Sequence, residues 1–306
     1  MQREKLKNSV DIVSIFCIAG FSLNIVMGLV MGMLGVYKDF TLYMLLMTAN
    51  SVIVMLCGSL ICAKFCGGMK ACIGKYEKKT GFLENFLLVV FGFSGCVPVN
   101  FILSIISMIV PFFESGSDMS FFENTDIYST ILALVAIALA PAVCEEIAFR
   151  GLAMGNFADF GQGFAILLSS AFFGMMHGTL SGMIFAFSVG LLLGFIRKIS
   201  GSLIPSMTVH FLNNAYAVFM IVFLKTLGME VLSIISGAFV CIMLLLFVVM
   251  LIIFCNRKSV LSAFSADDCV LTNSEKAKIV LTRPLFWVLV FFSAIIGILS
   301  MAGTAV

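Results

Sequence analysis

The sequence predicts an all-α fold: a polytopic transmembrane bundle of eight to nine membrane-spanning helices with its N-terminus in the cytoplasm. Three observations carry this. Of 306 residues, 61% are hydrophobic and only 11% charged, with a mean hydropathy of +1.17; a soluble chain averages about 45–50% apolar and about 25% charged residues. The charged residues are gathered into clusters, and the apolar runs between them are about 17–26 residues long, the length a helix needs to cross a bilayer. Finally, the basic residues segregate to alternate sides. Such a composition excludes a soluble enzyme, a disordered chain and a secreted disulfide scaffold. With 18 Lys and Arg against 16 Asp and Glu, a net charge of +2 also argues against a nucleic-acid partner.

The clusters fall at 3–11, 38–39, 64–84, 114–126, 145–159, 197–198, 225–230 and 257–283. Backbone polar groups must be satisfied within each segment in lipid, so the intervening runs are read as helices. They predict spans near 12–36, 40–63, 86–112, 128–144, 163–182, 183–199, 202–224, 231–255 and 284–304. With the N-terminus inside, sixteen of the eighteen basic residues fall on the cytoplasmic side, Arg150 among them; Lys38 and Lys225 are left outside, beside the acidic 114–126 loop. That balance favours nine spans, with eight if 163–199 is counted differently. The chain reads as one membrane domain, with N-terminal helices over 1–127, a catalytic core over 128–224 and C-terminal helices over 225–306. The apolar stretch after Asp11 is too long for a signal-peptide core and reads as a retained helix. Neither terminus carries a lipidation signal, and no transporter-like repeat is evident.

Most of the ten cysteines fall inside predicted helices, where Cys acts as a small hydrophobe. Cys57, Cys62, Cys66 and Cys72 lack a partner His and a tight C-x-x-C pair, so a zinc site there is not favoured. The lysines of 64–84 are the positive-inside signal, in reach of anionic lipid head groups.

Ionisable groups at membrane depth are functional candidates by default. Glu145, Glu146 and Arg150 close the fourth predicted span in Cys-Glu-Glu-Ile-Ala-Phe-Arg-Gly. The only two histidines lie in apolar helices: His177 late in the fifth span and His210 in the seventh. Glu146 and Arg150, four apart, share a helix face and can pair. Glu145 points about 100° away and is free for another partner. Phe173 and His177 share a face, as do His210 and Asn214, beside Asn213. One carboxylate, two imidazoles and an amide can therefore converge from three helices on one cavity, with Gly151, Gly174 and Gly178 allowing close approach.

Such a set suits hydrolysis of an amide without a covalent nucleophile. A carboxylate in an apolar cavity can act as general base on water, one histidine can orient that water, and a second histidine with an amide can donate to an oxyanion. The same atoms admit a metal, with Glu145, His177 and His210 as three ligands of a Zn²⁺ bearing an open water position. The absence of H-E-x-x-H favours the metal-free form. Taken singly, each motif is also a structural feature, an edge ion pair or polar glue between helices.

At these residues the sequence resembles the CPBP intramembrane proteases, the CAAX-protease and bacteriocin-processing (Abi) family. The family pattern of E-E-x-x-x-R, F-x-x-x-H and H-x-x-x-N/D stands here as Glu145-Glu146-Ile-Ala-Phe-Arg150, Phe173-Gly-Met-Met-His177 and His210-Phe-Leu-Asn-Asn214, in that order over 145–214. The resemblance implies an integral-membrane endopeptidase opening toward the cytoplasm. Carried over, it makes Glu145 the water-activating base, His177 its partner, His210 and Asn214 oxyanion donors, and Glu146 with Arg150 the structural pair that fixes Glu145. It leaves both metal-free and metal-dependent chemistry open. The implied partners are a peptide or lipidated-protein substrate, of prenylated CaaX or leader type, and membrane lipids. The Met, Cys and Phe content gives an impression of a bacterial cytoplasmic membrane. Two further readings stay open: a non-catalytic immunity or scaffold protein, and a proton-coupled secondary transporter. Counting rise along straight helices puts Glu145 near the cytoplasmic face, His210 about 12 Å in and His177 about 20 Å in. Either the fifth span tilts or residues 151–162 dip into the membrane as part of a helical hairpin.

Overall fold

The computed structural model describes residues 1–76, 80–109, 126–256 and 269–301. Among them every regular element is a helix. The chain runs through α1 (Gln2–Met33), α2 (Phe40–Lys64), the short α3 (Met69–Ile73), α4 (Phe82–Ile109), α5 (Ile127–Phe160), α6 (Gln162–Met175), α7 (Leu180–Ser200), α8 (Leu203–Leu227), α9 (Met229–Cys255), α10 (Asn273–Leu281) and α11 (Pro284–Met301). Seven are long and apolar enough to span a bilayer, and α10 with α11, bent by 71°, makes an eighth. This is an integral membrane protein.

Local chemistry sets the helix starts. The first backbone N–H groups of a helix have no partner within it. Asp39 accepts from the Leu42 N–H, Asp126 from Ser129, Thr179 from Gly182 and Ser202 from Ile204, so a polar side chain opens α2, α5, α7 and α8. The Ser129 N–H and hydroxyl together hold the Asp126 carboxyl below the usual carboxylate range. Gly228, at φ +78°, is the single residue between α8 and α9, a left-handed conformation that suits glycine.

Lipid offers no hydrophobic drive between helices, so close packing has to come from small residues and shape. α6 and α7 form an antiparallel hairpin in which glycines meet the opposing helix. A Cβ on Gly174 would lie 2.9 Å from the Met183 carbonyl oxygen, one on Gly190 3.0 Å from Ser170 Cβ, and one on Gly194 2.9 Å from Ile166 Cγ2. The inner face of α1, with Val13, Phe16 and Phe21, packs on an aromatic cluster from α5 and α6. There Phe16 meets Phe149 at 6.0 Å, and Phe149 meets Phe173 at 5.0 Å. A second core joins α4, α7, α8 and α9 through Phe91, Leu193, Val209 and Phe254.

Segments expected on the cytoplasmic side meet on one face of the bundle. Lys5 and Lys75 both reach Asp159, Arg3 reaches Glu275, and Arg283 pairs with Asp11. Arg197, fully buried, donates to the Ile73 carbonyl at 2.8 Å and lies over the Tyr76 ring. The Thr80 hydroxyl donates to the Ser200 carbonyl at 3.3 Å. Lys78, Lys79, Arg257, Lys258 and the acidic loop before Asp126 lie outside the described residues.

Three expectations need correction. The fourth span does not end at residue 144 but continues to Phe160, because Glu146 and Arg150 satisfy each other inside the helix instead of ending it. Arg150 is accordingly buried in the bundle and does not belong to the basic residues of a membrane edge. The expected fifth span of 163–182 is a 14-residue helix ending at Met175; Thr179 caps the next helix, so 176–179 is a turn. Among the described residues this leaves seven spans, or with the bent pair eight, the lower of the two expected counts, beside the short α6.

Gly155 offers a direct check of the packing. A Cβ there would lie 2.8 Å from the carbonyl carbon of Cys72, whereas one on Gly28 would meet nothing within 4 Å. Gly155→Ala is expected to destabilise the protein by about 1–3 kcal/mol, the range for an overpacked site. Gly28→Ala should leave the thermal unfolding midpoint in detergent unchanged or slightly raised, and equal midpoints for the two variants would contradict the packing.

Candidate active site

The site is built around α5. This 34-residue helix contains two wide π-helical segments, Leu134–Leu139 and Ile147–Ala153, and the Glu145-Glu146 pair lies just before the second. π-bulges inside α-helices recur at functional sites. Because α5 continues fifteen residues beyond Glu145 to Phe160, that carboxylate lies about 22 Å from the helix end, not at a membrane edge. His177 lies the same number of residues after the start of α6 at Gln162, which brings the two to similar depth. The hairpin alternative of the sequence reading therefore accounts for the depth mismatch.

Glu146 is fully buried and Arg150 is 1% exposed. Arg150 Nη1 donates to Glu146 Oε1 at 2.9 Å, and Nη2 donates to the Gly190 carbonyl of α7 at 3.2 Å. Its guanidinium lies 4.4 Å above the Phe173 ring of α6, a cation–π contact. His210 Nδ1, on α8, is 3.2 Å from the same Glu146 oxygen. A carboxylate only accepts, so Nδ1 carries the proton. His210 Nε2 lies 3.7 Å from Glu145 Oε2, and the Glu145 side chain is 18% exposed.

His177 is in the turn after α6 and not inside a helix. Its Nδ1 donates to the Phe173 carbonyl at 2.9 Å, which leaves Nε2 as the unprotonated nitrogen of the neutral ring. The Phe173 ring lies edge-on to both imidazoles, at 4.8 Å from His177 and 5.9 Å from His210. Phe173 is thus the common wall of Arg150 and both histidines.

Asn214, one turn along α8 from His210, donates through Nδ2 to the Ile137 carbonyl in the first π segment at 3.2 Å. Asn213 Nδ2 donates to Asn214 Oδ1 at 3.2 Å, and Asn100 Nδ2 of α4 donates to Asn213 Oδ1 at 3.3 Å. The structure therefore brings Glu145, Glu146, Arg150, Phe173, His177 and His210 together, with Asn213 and Asn214 one turn away. Sequence reasoning missed two points, that His210 shares Glu146 with Arg150 and that Asn100 joins the amides. An asparagine inside an apolar span was the available signal for the second.

Among the described residues no group of three or more His, Cys, Asp or Glu side chains is placed to hold a metal ion. Both histidine Nδ1 atoms are bonded, His177 to the Phe173 carbonyl and His210 to Glu146, which leaves Nε2 as the uncommitted nitrogen of each ring.

Residues 127–216 match the family model described as Type II CAAX prenyl endopeptidase Rce1-like. The match extends over less than a third of the 306 residues. None of the curated proteins and none of the solved structures compared with the chain matches it. The matched segment covers all three motifs, with α5 to α7 and the first part of α8 as far as Tyr216. Asn100 and the helices on either side lie beyond it.

The buried pair yields a stability test. Removing one partner leaves an uncompensated charge in the bundle, which costs about 3–5 kcal/mol. Arg150→Met should sharply lower the yield of folded protein. Glu146→Gln combined with Arg150→Met should recover most of it, as read by the thermal midpoint; equal losses in the single and double variants would contradict the ion pair.

Proposed function

We propose that this protein is an intramembrane endopeptidase in which Glu145 activates water, without a metal, to hydrolyse a peptide bond of a membrane-associated substrate. The observation that carries the reading is the contrast between two adjacent carboxylates. Glu146 is sealed in by Arg150 and His210, while Glu145 is partly exposed and faces His210 Nε2. A locked carboxylate is a scaffold; an accessible one in an apolar site can exchange protons with water.

In this mechanism Glu145 takes a proton from a water that His177 orients through its free Nε2. The hydroxide so formed attacks the scissile carbonyl carbon. Negative charge develops on the carbonyl oxygen as its π bond opens. The N–H of Asn214 not held by Ile137 donates to that oxygen, and His210 faces the same space from Nε2 as the second oxyanion contact. The tetrahedral adduct then collapses, the C–N bond breaks, and Glu145 returns its proton to the leaving amine. Water is consumed, one acid and one amine are released, and no covalent enzyme intermediate forms.

Substrates of this reading are prenylated CaaX tails or leader-bearing peptides. They approach from the face where Lys5, Lys75, Asp159 and Arg197 gather, which the distribution of basic residues assigns to the cytoplasm. The test is cleavage of both peptide classes by the purified protein, with and without a strong chelator, alongside Glu145→Ala and Glu145→Gln. Wild-type cleavage is expected to survive the chelator, and both variants to lose about 10²–10⁴-fold in rate while keeping wild-type thermal midpoints. Wild-type rates from Glu145→Ala would sink the assignment. A chelator-sensitive rate restored by Zn²⁺ would move Glu145, His177 and His210 into a metal site.

A further inference from the structure

Three asparagine amides form a one-way chain across two helices. Its direction follows from the group at its end. A backbone carbonyl oxygen only accepts, so the side chain facing Ile137 O must present its nitrogen. Asn214 does so at 3.2 Å, which turns its Oδ1 toward Asn213. Asn213 must then present Nδ2 to that oxygen, at 3.2 Å, and its own Oδ1 turns toward α4. Asn100 fills that last position, with Nδ2 3.3 Å from Asn213 Oδ1. Reversing any one amide would set oxygen against oxygen or N–H against N–H. Asn213 is 7% exposed, so water is a poor substitute for its partners.

We propose that Asn100 is a positioning residue for the hydrolysis, holding Asn214 through Asn213 in the orientation that offers an N–H to the oxyanion. The inference rests on the protease reading above, in which Asn214 is that donor. A primary amide carries two N–H groups. Asn214 commits one to Ile137 and has one for the reaction only while its nitrogen stays on the Ile137 side. Asn213 alone does not secure this, because the two amides can turn over together, keeping their mutual hydrogen bond and losing only the one to Ile137. Asn100 prevents the turn by donating to Asn213 Oδ1. Asn100 lies on α4, outside the segment 127–216, so the helix that completes the site comes from the N-terminal part of the chain.

The test uses full-length purified protein and whichever peptide the wild type cleaves. Asn100→Leu is expected to lower kcat by about 10- to 100-fold, below the full loss of an oxyanion donor, with KM within about twofold. Asn100→Asp adds a readout that mere filling of space would not move. A protonated Asp carries an O–H that donates to Asn213 Oδ1, whereas an ionised one only accepts. The ratio of Asn100→Asp to wild-type activity should therefore fall as pH rises. An unchanged kcat in Asn100→Leu, or a ratio flat with pH, would overturn the proposal.

Thermal unfolding of Asn100→Leu, Asn214→Leu and the double variant decides the matter independently of substrate. The shifts in midpoint should be non-additive, since both residues belong to one chain, and additive shifts would also overturn the proposal. A wild-type protein that cleaves neither peptide class defeats the protease reading instead, and with it the catalytic part of this one, while the unfolding cycle still decides whether Asn100 and Asn214 are linked.

Discussion

The bundle is organised by one buried guanidinium. Arg150 belongs to α5, but its bonds reach further, to Glu146 on its own helix, to the Gly190 carbonyl on α7 and, through its flat face, to Phe173 on α6. Glu146 extends the network to α8 by accepting from His210. Four helices are thereby tied to a single charge. In a medium of low polarity neither partner tolerates being alone, and each additional hydrogen bond lessens the desolvation of the pair. The helices that must stay in register for the site to exist are the ones this charge holds.

The second π segment, Ile147–Ala153, carries Arg150 directly after the two carboxylates. One carboxylate is thus committed to structure while its neighbour, about 100° around the helix, is left to the cavity. Phe173 adds the complementary constraint. Its carbonyl fixes the proton on His177, and its ring packs against both imidazoles. The reactive groups are oriented by atoms that take no part in proton transfer, as preorganised sites require.

Much of this was legible in the sequence. Charge clusters marked most spans because solvated charge is expensive in lipid, and helical spacing gave the Glu146–Arg150 pair and the pairing of Phe173 with His177. The same logic misplaced the end of α5. A charge neutralised by its own helix four residues away looks, in sequence, like one that meets water. The turn at 176–179 was hidden because Gly178 and Thr179 sit inside an apolar run whose overall hydropathy favours a helix. The sharing of Glu146 by His210, and the entry of Asn100 into the amide chain, are contacts between distant segments that no local period encodes.

The short α6 has a consequence for what surrounds the site. Fourteen residues extend about 21 Å, against a hydrocarbon core of about 30 Å. The turn carrying His177 therefore stops short of the far interface, and protein closes it off. The Ser293 hydroxyl of α11 donates to the Met175 carbonyl at 2.8 Å, and Ile296 stands beside Gly178. The last helix of the chain thus walls the turn that carries His177, although it lies far from the motifs in sequence.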